Sequence, residues 1–403
     1  MNNVTKAKIG IFALTLLAMS TLAITPSLSL IMAAFPESSA NDVQQLTAIP
    51  SLMGIASALF FSAFAGKIPH KFLALAAAAL VAVGGLLPAF VNAGLPFLLI
   101  CSGILGLGVG LVTNTANTLI TDLIPADQQE SVMAKNVIFV GIGSVVMTNG
   151  GSALSAYGWQ CNYLVYGLAV LVLVAILVLI PFKPVDAASE AAEAHEEASQ
   201  VAAAKAPLGI VAIVSGIIIM LYNGVYSAYP NNLTMVLLST GAADASMTGA
   251  IMAVGTITGI IAGAIMDIML KAIRKFSLAF GLVLMAAGIL LIGCATNLPM
   301  LIAGSALLGF ALTFGFSQCP FIIAIGTNPA RIPAAMGVFS AGSSIGGFIS
   351  PSILNALSGA FMGGSAQGCC IIAGIIAAVA AVVLFATRFQ AGVVDRAFGG
   401  QDR

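Results

Sequence analysis

Lys135-NVIFVGIGSVVMTNGGSALSAYGWQCNYLVYGLAVLVLVAILVLIPF-Lys183 decides the fold. Two apolar runs lie here, at roughly 131–154 and 160–181, each of the size that crosses a bilayer as a helix of about 20 residues. A basic residue flanks the pair on each side, and the gap between the runs holds none. Working outward, the same alternation covers the whole chain. The fourteen Lys and Arg are Lys6, Lys8, Lys67, Lys71, Lys135, Lys183, Lys205, Lys271, Arg274, Lys275, Arg331, Arg388, Arg396 and Arg403, and they occupy every second gap between apolar runs. Translocated loops avoid Lys and Arg while cytoplasmic loops keep them. The pattern predicts a multi-pass protein of the cytoplasmic (inner) membrane with both termini in the cytoplasm.

Composition agrees. The 403 residues are 60% hydrophobic and 7% charged, with mean hydropathy +1.10, against about 25% charged in soluble domains. Twelve runs of spanning size are expected, at roughly 9–33, 44–66, 72–92, 96–122, 131–154, 160–181, 208–236, 246–268, 275–294, 298–324, 332–358 and 366–387. They are too long, and too poor in polar alternation, for barrel strands. The expected fold is an all-α membrane protein of twelve transmembrane helices in two pseudo-symmetric six-helix bundles. The first run is too long for the apolar region of a signal peptide and reads as a retained helix. Zero net charge implies no nucleic-acid partner. The six Cys lack metal-ligand spacing, and Cys369–Cys370 reads as packing.

Sliding the chain against itself by 201 residues aligns Gly103 with Gly304, Gly108 with Gly309, Ala134 with Ala335 and Gly141 with Gly342. Two parallel six-helix copies follow, 1–182 and 207–403, joined by a polar cytoplasmic linker at 183–206 that carries Glu190, Glu193, His195, Glu196 and Glu197. Transporters that rock one half against the other are built this way.

With these motifs the chain resembles the major facilitator superfamily over its full length. That family carries G-x-x-x-D-[RK]-x-G-[RK]-[RK] between helices 2 and 3. This chain has Ser62-Ala-Phe-Ala-Gly66-Lys67-Ile-Pro69-His70-Lys71, with the basic positions kept and the Asp replaced by Gly66. The second half repeats it as Gly263-Ala-Ile-Met-Asp267 followed by Lys271, Arg274 and Lys275. The resemblance implies a gating latch. In it the Asp267 carboxylate faces the positive start of the helix at Ser131, with Lys67, Lys71, Lys135, Lys271 and Arg274 around the two loops. The alternative is that Asp267 only caps a helix at the membrane boundary. The antiporter signature G-P-x-x-G-G survives only as Gly150-Gly151, which fits close helix packing equally well.

The resemblance also implies that helices 1, 4, 7 and 10 line a central cavity. The substrate-binding candidates there are Thr25, Asn114, Asn117, Tyr222, Asn223, Tyr226 and Gln318, neutral amides, hydroxyls and phenols. Each could equally serve as interhelical glue. The spans hold almost no charge, so the expected cargo is a small neutral or amphipathic solute. Proton-coupled efflux stands ahead of uptake or facilitated diffusion, with Asp122 the proton-coupling candidate. No cofactor, metal or catalytic residue is expected, and the partners are the substrate, the lipid bilayer and protons, with the chain a monomer. An intramembrane enzyme would need a nucleophile or metal constellation in the spans. A non-transporting receptor or structural protein would tolerate loss of the polar groups in helices 4, 7 and 10.

Overall fold

The computed structural model describes residues 3–64, 67–182, 209–242, 244–273, 275–328 and 331–398. The expected linker at 183–206, and with it His195 and its glutamates, lies outside the described residues, as do Gly66 and Arg274. Helices make up the described chain: α1 Asn3–Thr15, α2 Leu28–Ala34, α3 Ala40–Phe64, α4 His70–Phe90, α5 Leu95–Leu123, α6 Ala126–Ser155, α7 Gly167–Leu179, α8 Ile210–Thr240, α9 Thr248–Ile273, α10 Ser277–Gly293, α11 Leu298–Gly326, α12 Ile332–Phe361, α13 Ala366–Thr387 and α14 Phe389–Phe398. Among the described residues ten helices are long and apolar enough to cross a membrane. Ser277–Gly293, an apolar helix of 17 residues, is just short of that length, and Ala40–Phe64 occupies the position of the second expected run.

Two compact units emerge, Met1–Glu197 with Ala245–Ala253, and Ala198–Asp244 with Val254–Arg403. In the first, α5 packs on both α3 and α4, and α7 on α1 and α4. The start of α9 belongs to this unit: Ser152 Oγ donates to Ser246 O (2.6 Å) and accepts from Gly249 N (3.2 Å). In the second, α8 packs along α12, and α10 on α11 and α13.

Glycines make these contacts possible, because small residues let helix backbones approach in lipid. A Cβ built on Gly84 of α4 would lie 2.6 Å from Leu105 N and 2.7 Å from Cys101 O on α5. A Cβ on Gly288 of α10 would lie 2.9 Å from Gly304 O and 3.0 Å from Leu308 Cγ on α11. These two crossings are counterparts and correct the repeat register. Cys101 corresponds to Gly304 and Leu105 to Leu308, an offset of 203 rather than 201 for α5 against α11, the two glycines themselves being 204 apart. The Leu-Pro starts of α5 and α11, Leu95-Pro96 and Leu298-Pro299, agree with 203. The pair at 201 fails the geometric test: Gly103 faces Ile49 and Met53 of α3, whereas Gly304 faces α10. A slip of two residues escapes notice in a chain with 43 glycines, because many still coincide. The corrected register sets Gln318 opposite Thr115 and Asn117 opposite Pro320, so the amides of Asn117 and Gln318 are not equivalent.

The first span is broken rather than continuous. After α1 the chain turns and runs as a 3-10 helix, Ser20–Ser27, before α2. Pro26 lacks an N–H, and the Ser and Thr around it compete for backbone groups, so regular helix is disfavoured. Two carbonyls of the break are held from the sixth span, Ser20 O by Tyr166 Oη (2.8 Å) and Ala23 O by Asn162 Nδ2 (2.9 Å). All four residues are buried. A second departure is α14. Arg388, at φ 47, turns the chain out of α13 in a left-handed conformation, and a ten-residue amphipathic helix follows.

Candidate functional site

On α5 polar residues recur at helical spacing within an apolar span. Thr113, Asn117 and Thr121, four apart, are exposed, and Asn114 and Thr118 flank them half-buried. Residues four apart share a helix face, so the five make one polar stripe. Its hydroxyls are turned back onto their own helix: Thr113 Oγ1 donates to Val109 O (3.2 Å), Thr118 Oγ1 to Asn114 O (3.2 Å) and Thr121 Oγ1 to Thr118 O (2.8 Å). Asn114 Nδ2 donates to Gly110 O (3.1 Å). The two asparagines were legible from their three-residue spacing. The threonines carry the same signal and extend the stripe over two turns.

Other expected site residues sit differently. Thr25 is buried in the broken first span, donating to Leu22 O (2.7 Å) with Met252 Sδ at 3.4 Å. Tyr222 is fully buried, wedged against Gly281 of α10 and Gly315 of α11, with its hydroxyl 3.5 Å from Leu278 O. That is a packing position. Asn223 is half-buried and donates to Ser343 O on α12 (2.7 Å). Tyr226 is half-buried, its ring edge-on to Tyr229 at 5.9 Å. Tyr229 itself is buried and shares a 2.6 Å hydrogen bond with Ser305 Oγ. Gln318 is buried, and its Oε1 accepts from Ser277 Oγ (3.1 Å). So Asn114 and Asn117 share one face, Asn223 and Tyr226 lie half-buried on α8, and Thr25, Tyr222 and Gln318 are enclosed among neighbours of their own units.

Asp122, at the end of α5, pairs with Nδ1 of His70, the first residue of α4. Both side chains are mostly enclosed. His70 stands at a basic position of the degenerate signature, and nothing in its spacing from Asp122 announces the pair. Of the other residues expected at the latch, Lys67 is exposed in the turn after α3, and Lys71 Nζ donates to Leu177 O (2.9 Å). Lys135 is exposed on α6. Asp267 and Lys271 belong to α9, but their side chains, like that of Ser131, lie outside the described residues. Two buried partners escaped sequence reading: Asn136 of α6, which accepts from Thr15 of α1, and Gln390 of α14.

Comparison with known proteins follows the fold. No curated protein sequence matches the chain. Among solved structures, similarity runs over nearly the whole length. A bacterial homolog of the human lysosomal transporter Spinster, inward-facing, has TM-score 0.75 at 14% identity, covering 98% of this chain and 97% of its own. The nucleoside transporter NupG has TM-score 0.73 at 16% identity, covering 96% and 99%. The xylose transporter XylE from E. coli has TM-score 0.70 at 15% identity, covering 95% and 96%. At such identities the likeness is one of fold. The sequence also matches the family model described as Major Facilitator Superfamily over residues 10–269. That match takes in more than half of the chain, and with it the protein belongs to the Major Facilitator Superfamily.

Proposed function

We propose that this protein is a secondary transporter that moves a small neutral or amphipathic solute by alternating access. The observation that carries the reading is Asn117, an exposed amide within an apolar membrane helix. Facing lipid, an amide without a partner costs about 2–7 kcal/mol. An Asn kept in that place therefore faces water or a solute. Thr113 and Thr121 extend the same face, and their own-helix hydrogen bonds leave it polar but uncharged. A neutral solute with hydrogen-bonding groups suits that face.

Similar folds are named for nucleosides, xylose and oligopeptides, and neutral members of these classes are the first to try. Efflux driven by protons is the direction and coupling we favour, with the carboxylate of Asp122 and the imidazole of His70 as proton carriers. The acid–imidazole pairing at the end of the polar stripe supports that assignment. A thermal-shift screen of the purified protein against nucleosides, monosaccharides and dipeptides tests the reading, since a ligand that binds the folded state raises its melting temperature. One neutral class should stabilise the wild type, and Asn117→Ala should weaken that effect. Stabilisation indifferent to Asn117 would refute the site.

A further inference from the structure

α11 carries Pro320 six residues before its end at Gly326. Proline has no N–H, so one helical hydrogen bond is missing there and the helix can bend. α14 reaches α11 on both sides of this weak point, through Ser277 of α10 before it and directly after it. Before Pro320, Gln318 Oε1 accepts from Ser277 Oγ (3.1 Å), and Ser277 Oγ accepts from Gln390 Nε2 (2.6 Å). The other end of the same amide, Gln390 Oε1, accepts from Leu278 N (2.9 Å). After Pro320, Val393 lies against Gly326, where a built Cβ would come 2.8 Å from Val393 Cγ1 and 2.9 Å from Val211 Cγ1. Gln390 and Val393 are three apart and share the buried face of α14, while Gly392, Asp395 and Arg396 are exposed. Lys275 Nζ and Asp395 Oδ1 add a 2.7 Å ion pair at the rim. Both side chains are more than half exposed, so the pair contributes little.

We propose that α14 is a splint across the Pro320 bend of α11, and that Gln390 is the positioning residue which holds Gln318 through Ser277. The chain of hydrogen bonds has a direction. Ser277 gives its one hydroxyl proton to Gln318, so it must accept from Gln390, and only an N–H or O–H at position 390 can supply that bond. Released from Gln390, the hydroxyl is free to turn away, and the α11 segment around Pro320 loses its hold. α8 also meets α11 on both sides of Pro320, through Tyr229 Oη to Ser305 Oγ (2.6 Å) and Val211 against Gly326; what α14 adds is the polar chain that ends on Gln318, two residues before the proline.

Cys319, between Gln318 and Pro320, is fully buried and serves as the native reporter. The full-length protein is purified in detergent and treated with N-ethylmaleimide, and alkylation is followed cysteine by cysteine by mass spectrometry. Cys370, fully buried on α13, is the internal control. Gln390→Ala and Ser277→Ala should each speed alkylation of Cys319 by roughly five- to a hundredfold, as loss of a buried hydrogen-bond partner predicts, with Cys370 unchanged. The double variant should go no faster than either single one, because both cut the same link. Gln390→Glu, read at a pH where its carboxyl is ionised, keeps an acceptor for Leu278 N but has no N–H or O–H for Ser277. It should also expose Cys319, and it reads the link if Gln390→Ala does not fold. Wild-type Cys319 rates in Gln390→Glu and Ser277→Ala would overturn the splint. So would equal rises at Cys319 and Cys370, which would make Gln390 part of general packing.

Discussion

His70 Nδ1 and Asp122 Oδ2 form a hydrogen-bonded pair that ties the start of α4 to the end of α5. With side-chain exposures of 10% and 24%, neither partner can recover full hydration if the other is removed. His70→Ala and Asp122→Asn should each lower stability by about 1–3 kcal/mol. Thermal unfolding of the two single variants and the double variant checks this, and the double should lose less than the sum of the singles. Additive losses would mean that the two residues act separately, and the proposed proton pair would fail with them.

Glycine packing makes a second prediction. A side chain on Gly84 or Gly288 meets backbone atoms of the neighbouring helix inside 3.0 Å, and backbone cannot step aside as a rotamer can. Gly84→Leu and Gly288→Leu should cost at least about 1–3 kcal/mol and lower the melting temperature. Gly54→Ala, where nothing lies within 4 Å, should stay within about 0.5 kcal/mol of wild type.

The broken first span should depend on its hydrogen bonds from the sixth. Tyr166→Phe leaves Ser20 O without its donor, and Asn162→Ala does the same for Ala23 O. Each should destabilise by about 1–3 kcal/mol, read as a lower melting temperature. If Tyr166→Phe melts as wild type does, the break is held by packing alone.

For the polar stripe, Asn117→Ala should weaken solute binding while leaving the melting temperature of the unliganded protein unchanged, since Asn117 is exposed. A lost hydrogen bond of about 1–3 kcal/mol corresponds to roughly five- to over a hundredfold in affinity. With an uncharged site, the affinity of the wild type should vary little between low and high salt. Titrations at both salt levels decide it, and a steep salt dependence would assign the recognition to a charged group.

Orientation can be tested in cells. The Lys and Arg alternation predicts cytoplasmic termini, so a Cys placed at Glu193 should resist impermeant thiol reagents in intact cells. Labelling from outside would reverse the orientation.

What the sequence by itself determined is the helical, membrane-spanning character of the chain, with ten helices long and apolar enough to cross a membrane among the described residues. Transfer into lipid is a property of about 20 consecutive residues, so it is legible without knowing any neighbour. The asparagines of α5 were legible for the same reason, because two polar residues three apart on an apolar helix stand out locally. The tertiary structure decided what depends on helix rotation and crossing. It set the register of α5 against α11 at 203, because the residues of α5 that meet Gly84 and those of α11 that meet Gly288 are that far apart. It turned Tyr222 and Gln318 inward, one against Gly281 and Gly315 and the other onto Ser277. It also paired His70 with Asp122, and brought Gln390 to Ser277 from 113 residues away. A polar side chain in a span can face solute, lipid or another helix, and which of these it does is fixed by the partner that satisfies its hydrogen bonds, which no local pattern records.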